Sequence, residues 1–247
     1  MNFINVISGS ADKLFATVLI DANPNRSHEI DEPGGGNTNI RLTNYRYITQ
    51  YAFGYNANGT CNEVACCIAL NYLKRQYNVP VCTANMTPEL FNSSFPQSAQ
   101  QNNSTYPKAE LFHQRLQQFM AVPGLAWGSK YSGSVNSYLE TTITNPALRP
   151  IAFARLRVAF PFSSVHSLIS SNKPVIVQTF GHPEYNNHTM VAYGCRTVGS
   201  TNEVLVHVGW HDPTRFSQSG NQYTHKDHWV NYLSISYYYS FILPGYN

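Results

Sequence analysis

Between Asn172 and Trp210 the sequence carries three apolar runs separated by short Gly- and Asn-rich stretches. This arrangement narrows the fold more than any other feature of the chain. The first run is Val175-Ile176-Val177-Gln178-Thr179-Phe180, introduced by Asn172-Lys173-Pro174. The second, His188-Thr189-Met190-Val191-Ala192-Tyr193-Gly194, follows the loop 181–187. The third is Glu203-Val204-Leu205-Val206-His207-Val208-Gly209-Trp210. β-Branched and aromatic side chains fit a pleated surface, and connections this short join neighbours that run in opposite directions. The segment predicts an antiparallel meander, with His188 opening its middle strand at a loop mouth.

The first half of the chain follows a different period. Ala65, Ile68, Ala69, Tyr72 and Leu73 recur at i, i+3, i+4, i+7 and i+8, one face of an amphipathic helix that begins near Cys61. Gly59 supplies the preceding turn and Thr60 the N-cap. A second amphipathic helix is predicted over 108–120, with Phe112, Leu116, Phe119 and Met120 on one side. Val135, Tyr138, Leu139 and Thr142 predict a third, and 163–170 a short fourth. The stretch 83–107 is polar, rich in Asn, Ser, Gln and Pro, with a short helix expected at 87–91. Near the start, 14–20 reads as a strand and leads to a turn-rich segment ending Pro33-Gly34-Gly35-Gly36-Asn37; no P-loop lysine follows the glycines. Tyr237-Tyr238-Tyr239 with Phe241-Ile242-Leu243 reads as a closing strand whose alternate residues fall in the core. Helices first and strands later predict an α+β fold.

A chain of 247 residues can bury a sizeable core as one large domain or two small ones. Net charge is +3 with 12% charged residues and no basic cluster, which argues against a nucleic-acid partner. No apolar run approaches the about 18 residues of a membrane span. Residues 1–19 lack the basic and apolar regions of a signal peptide. Polarity carried by Asn, Ser, Thr and Tyr suggests a secreted or cell-surface protein, with a cytoplasmic one as the alternative.

The chemistry concentrates at Cys61. A thiol in the first turn of a helix meets unpaired backbone N–H groups and the positive end of the helix dipole, which favour thiolate. A strand-borne imidazole such as His188 is the complementary base for acyl transfer, provided the fold joins them. The five cysteines, Cys61, Cys66, Cys67, Cys82 and Cys195, are odd in number, which leaves at least one thiol. Buried reduced thiols are expected, with a Cys82–Cys195 disulfide as the alternative; the absence of a Cys-x-x-Cys pair argues against a zinc cage. His182, His188, His207, His211 and Asp212 form a competing metal-ligand set, disfavoured because no helical His-x-x-x-His spacing occurs. His225-Lys226-Asp227-His228 reads as a solvated loop, Trp229 as packing, and Trp210 as core or cleft wall. Asn187-His188-Thr189 and Asn102-Asn103-Ser104 match glycosylation sequons in form only.

Gly59-Thr60-Cys61-Asn62-Glu63-Val64-Ala65 and its continuation to Leu73 resemble the nucleophile helix of papain-like cysteine peptidases. The similarity is to the bacterial branch that contains bacteriocin-processing, double-glycine leader peptidases. Lys173-Pro174-Val175, His188-x-x-Val191-x-x-Gly194 and the strand ending near Trp210 resemble that branch's second half. The resemblance covers roughly 45–80 and 165–215. It implies a single papain-like domain over 1–247: an N-terminal extension (1–44), a mainly helical lobe (45–145) with the polar insertion 83–107, and a mainly β lobe (146–247), with a cleft between the lobes. It implies Cys61 as nucleophile and His188 as its base, acting on a peptide or protein substrate without a cofactor.

Two departures bear on the rest of the site. Where the family has a glutamine that donates to the oxyanion, this chain has Tyr55. Asn56, Asn58 and the more distant Gln50 are the available amides, with Asn56 preferred. Where the family orients its histidine with an Asn or Asp, this chain offers His207, better in register, or Asp212, the better partner chemically. The expected function is therefore a cysteine peptidase. An amidase or transamidase using the same Cys–His pair, a non-catalytic binding or adhesion domain, and a metal-dependent hydrolase are the alternatives.

Overall fold

The computed structural model describes residues 39–51, 60–90, 107–120, 127–209 and 228–246. Helices dominate the first half: α1 (Arg46–Thr49), α2 (Cys61–Tyr77), α3 (Pro107–Met120) and α4 (Ser129–Thr142). A short strand, β1 (Ile40–Arg41), precedes them. Then come β2 (Ile151–Leu156), α5 (Phe162–Ser170), β3 (Val175–His182), β4 (Asn186–Val198), β5 (Thr201–His207), β6 (His228–Asn231) and β7 (Ile235–Ile242). The fold is mixed, with helices set against one antiparallel seven-stranded sheet.

The sheet order is β2-β7-β3-β4-β5-β6, so the predicted meander β3-β4-β5 lies near its middle. Each connection in the meander is two or three residues long, too short for anything but a hairpin. β4 is the longest strand and is paired on both edges. On one edge β5 pairs with it; on the other, β3 covers the first half, from Thr179↔His188 to Val175↔Ala192. β1 takes over beyond, pairing Arg41 with Gly194 and Ile40 with Cys195. Gly194 permits that approach: a Cβ there would lie 3.1 Å from the Ile40 carbonyl oxygen and 3.1 Å from the Leu205 Cβ. The end of the expected N-terminal extension is thus part of the sheet. The strand expected at 14–20 lies outside the described residues.

α2 departs from the predicted amphipathic pattern. All of its first thirteen residues, Cys61 to Leu73, are buried. The reason is position: α1 and α3 pack on it from one side and β3 and β4 from the other, so no face meets water. Thr60 sits at the N-cap without a side-chain capping bond, and Asn78 closes the helix in the left-handed conformation at φ 57°. α3 and α4 each bury one face, Phe112, Leu116 and Met120 in one and Tyr131, Val135 and Tyr138 in the other, as their spacing predicts. No helix forms at 87–90; a single 3₁₀ turn at Ala84–Met86 precedes it, and Leu90 bridges Tyr51.

β7 likewise differs from expectation. It lies inside the sheet, between β2 and β3, and Tyr238, Tyr239, Ser240 and Phe241 are buried in succession. A strand covered on both faces loses the alternation of a half-exposed one. One continuous apolar core joins residues of α2, α3 and α4 to residues of β3, β4, β5 and β7. Among the described residues, no helix is long and apolar enough to cross a membrane.

Candidate active site

Cys61 is the first residue of α2 and is 3% exposed. The first intrahelical bond runs from the Val64 N–H to the Thr60 carbonyl, 3.1 Å. Cys61 therefore lies at the positive end of the α2 dipole. His188 is the third residue of β4 and fully buried. Its Nε2 lies 2.6 Å from the Val208 carbonyl oxygen, just past the end of β5. A carbonyl only accepts, so Nε2 carries the hydrogen and donates it.

Three contacts bind the first turn of α2 to the strands around His188. Thr189, next to His188, donates its hydroxyl hydrogen to Asn62 Oδ1, next to Cys61. Gln178 on β3 donates through Nε2 to the same Asn62 Oδ1 at 2.9 Å and to Thr189 Oγ1 at 3.2 Å. A Cβ on Gly209 would lie 3.4 Å from Val64 Cγ1, so the chain that receives the His188 hydrogen bond also rests on this turn. The polar chain continues outward. Tyr239 on β7 donates to Gln178 Oε1, and the Gly128 N–H donates to the Tyr239 oxygen at 2.8 Å. Tyr131 on α4 donates to the Asn62 carbonyl at 3.0 Å. Asn62, Gln178, Thr189, Tyr131 and Tyr239 are all buried.

Glu63 adds an ionisable group to the same turn. It is 8% exposed, and its Oε2 has no hydrogen-bond partner among the described residues. Burial raises its carboxyl to about 7, only partly offset by a bond to its own backbone. Cys66 and Cys67, deeper in α2, are pushed well up by burial, and the nearby Glu63 carboxylate adds to the rise at Cys66. Those two thiols are inert hydrophobes. All five cysteines are reduced and buried, so Cys82 and Cys195 are not bridged.

The other expected site residues are only partly described. Asn56, Asn58, Trp210, His211 and Asp212 lie outside the described residues. Gln50 is the C-cap of α1. His207 pairs across the sheet with Val191, three residues along β4 from His188. The His207 Nδ1 instead accepts from the Gly209 N–H at 3.1 Å. The Val208 backbone, rather than the His207 ring, meets His188 Nε2. His182 Nδ1 accepts from the amides of Glu184 and Tyr185, closing the β3–β4 turn.

The loop reading of His228 is corrected. It opens β6, is buried, and its Nδ1 lies 2.8 Å from the Tyr185 hydroxyl. Trp229 packs, as expected, with the Arg196 guanidinium 3.8 Å from its ring centre. Asn187 is 2% exposed and accepts from the Gly181 N–H, so its sequon is closed in the folded chain. Among the described residues, no three His, Cys, Asp or Glu side chains are placed to hold a metal.

No family model matches the sequence, and no curated protein is significantly similar to it.

The residues that join the two halves of the site, Asn62, Gln178, Thr189 and Tyr239, were not singled out from sequence. A signal was present: Gln178 and Thr189 are polar in otherwise apolar runs, and Glu63 is the only carboxylate in α2.

Proposed function

We propose that the chain is a papain-like cysteine peptidase in which Cys61 is the nucleophile and His188 its base. The observation that carries the reading is the Asn62–Thr189 hydrogen bond between the chain neighbours of the two residues, together with His188 Nε2 bonded to Val208. With Nε2 donating to that carbonyl, Nδ1 is the nitrogen that exchanges a proton with the thiol. Cys61, as thiolate, attacks the substrate carbonyl and forms an acyl-enzyme; His188 returns the proton to the leaving amine. Water then releases the acyl group by the same route in reverse. The Cys61 backbone N–H at the helix start is the first oxyanion donor, and Asn56 is the favoured second. A backbone carbonyl fixes the imidazole tautomer as a carboxamide would, which relieves His207 of that role. Amide hydrolysis or transamidation would use the same acyl-enzyme.

The near-complete burial of Cys61 and His188 favours a second reading, a binding domain on the same scaffold in which the pair is packing. Thiol reactivity separates the two. Iodoacetamide labelling of Cys61, assigned by peptide mapping across pH, is expected to be fast well below the ordinary thiol range and to slow in His188→Ala. Slow labelling with ordinary thiol pH dependence, unchanged in His188→Ala, would remove the catalytic reading and leave the binding domain.

A further inference from the structure

We infer that Gln178 is a positioning residue that sets the Cys61–His188 geometry through a buried, one-directional hydrogen-bond chain; this rests on the peptidase reading above. The direction of every bond in the chain follows from chemistry. The Gly128 N–H can only donate, and it donates to the Tyr239 oxygen at 2.8 Å. The Tyr239 hydrogen is then directed at Gln178, and the atom that receives it must be the carbonyl oxygen Oε1. This turns the Gln178 NH₂ toward α2, where it reaches Asn62 Oδ1 at 2.9 Å and Thr189 Oγ1 at 3.2 Å. Thr189, having accepted, donates its own hydrogen to Asn62 Oδ1.

Among the described residues, Gln178 is thus the only member that touches β7, β4 and α2 together through side chains. It is fully buried, and Thr189 and Tyr239 are each 1% exposed. Bulk solvent does not reach these side chains, and a member that breaks away leaves its partners unsatisfied. Cys61 and His188 stand one residue along the backbone from Asn62 and Thr189, the two members that Gln178 joins. A slip of α2 against β4 would separate nucleophile and base, and the Asn62–Gln178–Thr189 triangle is what opposes it. An apolar side chain at 178 would fill the same space and set no register. The titratable groups around the chain include Cys61, Glu63 and Cys66 on α2, Tyr131 on α4, Tyr237 and Tyr239 on β7 and His188 on β4; none is supplied by Gln178, so its removal changes geometry without changing local charge.

The test is the pH profile of Cys61 alkylation by iodoacetamide in Gln178→Met, Tyr239→Phe, Thr189→Val and Thr189→Ser, beside the native protein and His188→Ala. Near-UV circular dichroism establishes that each variant is folded. Gln178→Met and Thr189→Val are expected to lower the labelling rate at mildly acidic pH about tenfold and to move the profile toward that of an ordinary thiol, about the effect of one buried hydrogen bond. Thr189→Ser, which keeps the hydroxyl, is expected to restore the native profile. Tyr239→Phe, which keeps the packed ring, carries the test if Gln178→Met does not fold. Folded variants with the native profile, in a protein whose labelling does depend on His188, overturn the positioning role alone. A native profile already indifferent to His188→Ala overturns the peptidase reading and this inference with it.

Discussion

Replacing Glu63 by glutamine is expected to abolish a specific loss of stability between mildly acidic and mildly alkaline pH. An unfolded glutamate titrates near 4.5, whereas burial holds the folded one at about 7. The folded state binds this proton more tightly, so the group's stabilising contribution is fully present below the unfolded value and is lost as the pH rises through the folded one. At about 1.4 kcal/mol for each factor of ten in proton affinity, the rise from 4.5 to about 7 makes ionising the buried carboxyl cost the fold about 3 kcal/mol. Solvent relieves little of this, because Glu63 is 8% exposed and Oε2 has no hydrogen-bond partner among the described residues. Glutamine keeps the shape and carries no charge at either pH. Urea unfolding of both proteins at about pH 5 and about pH 8 isolates the effect, since every other titrating group is common to the pair. The stability difference should move by about 3 kcal/mol in favour of Glu63→Gln on going to the higher pH. Parallel pH profiles for the two proteins would refute the assignment of a protonated, desolvated carboxyl at this position.

Other perturbations probe the scaffold. Cys66 and Cys67 should resist alkylation in the native protein and react on unfolding, as mass spectrometry of labelled peptides would show; native labelling of either contradicts their burial. Gly194→Val should force β1 off β4, because its first carbon would already meet the Ile40 carbonyl at 3.1 Å; a loss of about 1–3 kcal/mol in urea melts, with faster proteolysis near residue 40, is expected. Arg196→Lys should cost about 1 kcal/mol, since the guanidinium both lies 3.8 Å over Trp229 and bonds Glu203 at 2.6 Å; an unchanged melting curve would show that neither contact matters.

Much of the architecture was legible because it is local. Apolar runs of strand length joined by two or three residues leave a hairpin as the only geometry, so β3, β4 and β5 could be read directly. The period of α3 and α4 was legible for the same reason. β6 and the interior place of β7 were not. Strand order depends on which edges are left unpaired, a property of the assembled sheet, and His228 looked like part of a charged loop until β5 lay beside it.

At the site, sequence alone determined the placing of Cys61 at a helix start and of His188 near the start of a strand, because backbone period and turn chemistry act within a few residues. Everything that relates the two was decided by tertiary structure. Asn62, Gln178, Thr189 and Tyr239 meet across 177 residues of chain, and no short-range pattern encodes that meeting. The group that holds His188 is a backbone carbonyl, which every residue carries and no residue type announces; only the register of β5 on β4 brings the one at Val208 to the imidazole. Glu63 was visible as a carboxylate in an apolar helix, but its raised affinity for a proton exists only once α1, α3 and the sheet have closed around α2 and removed the water.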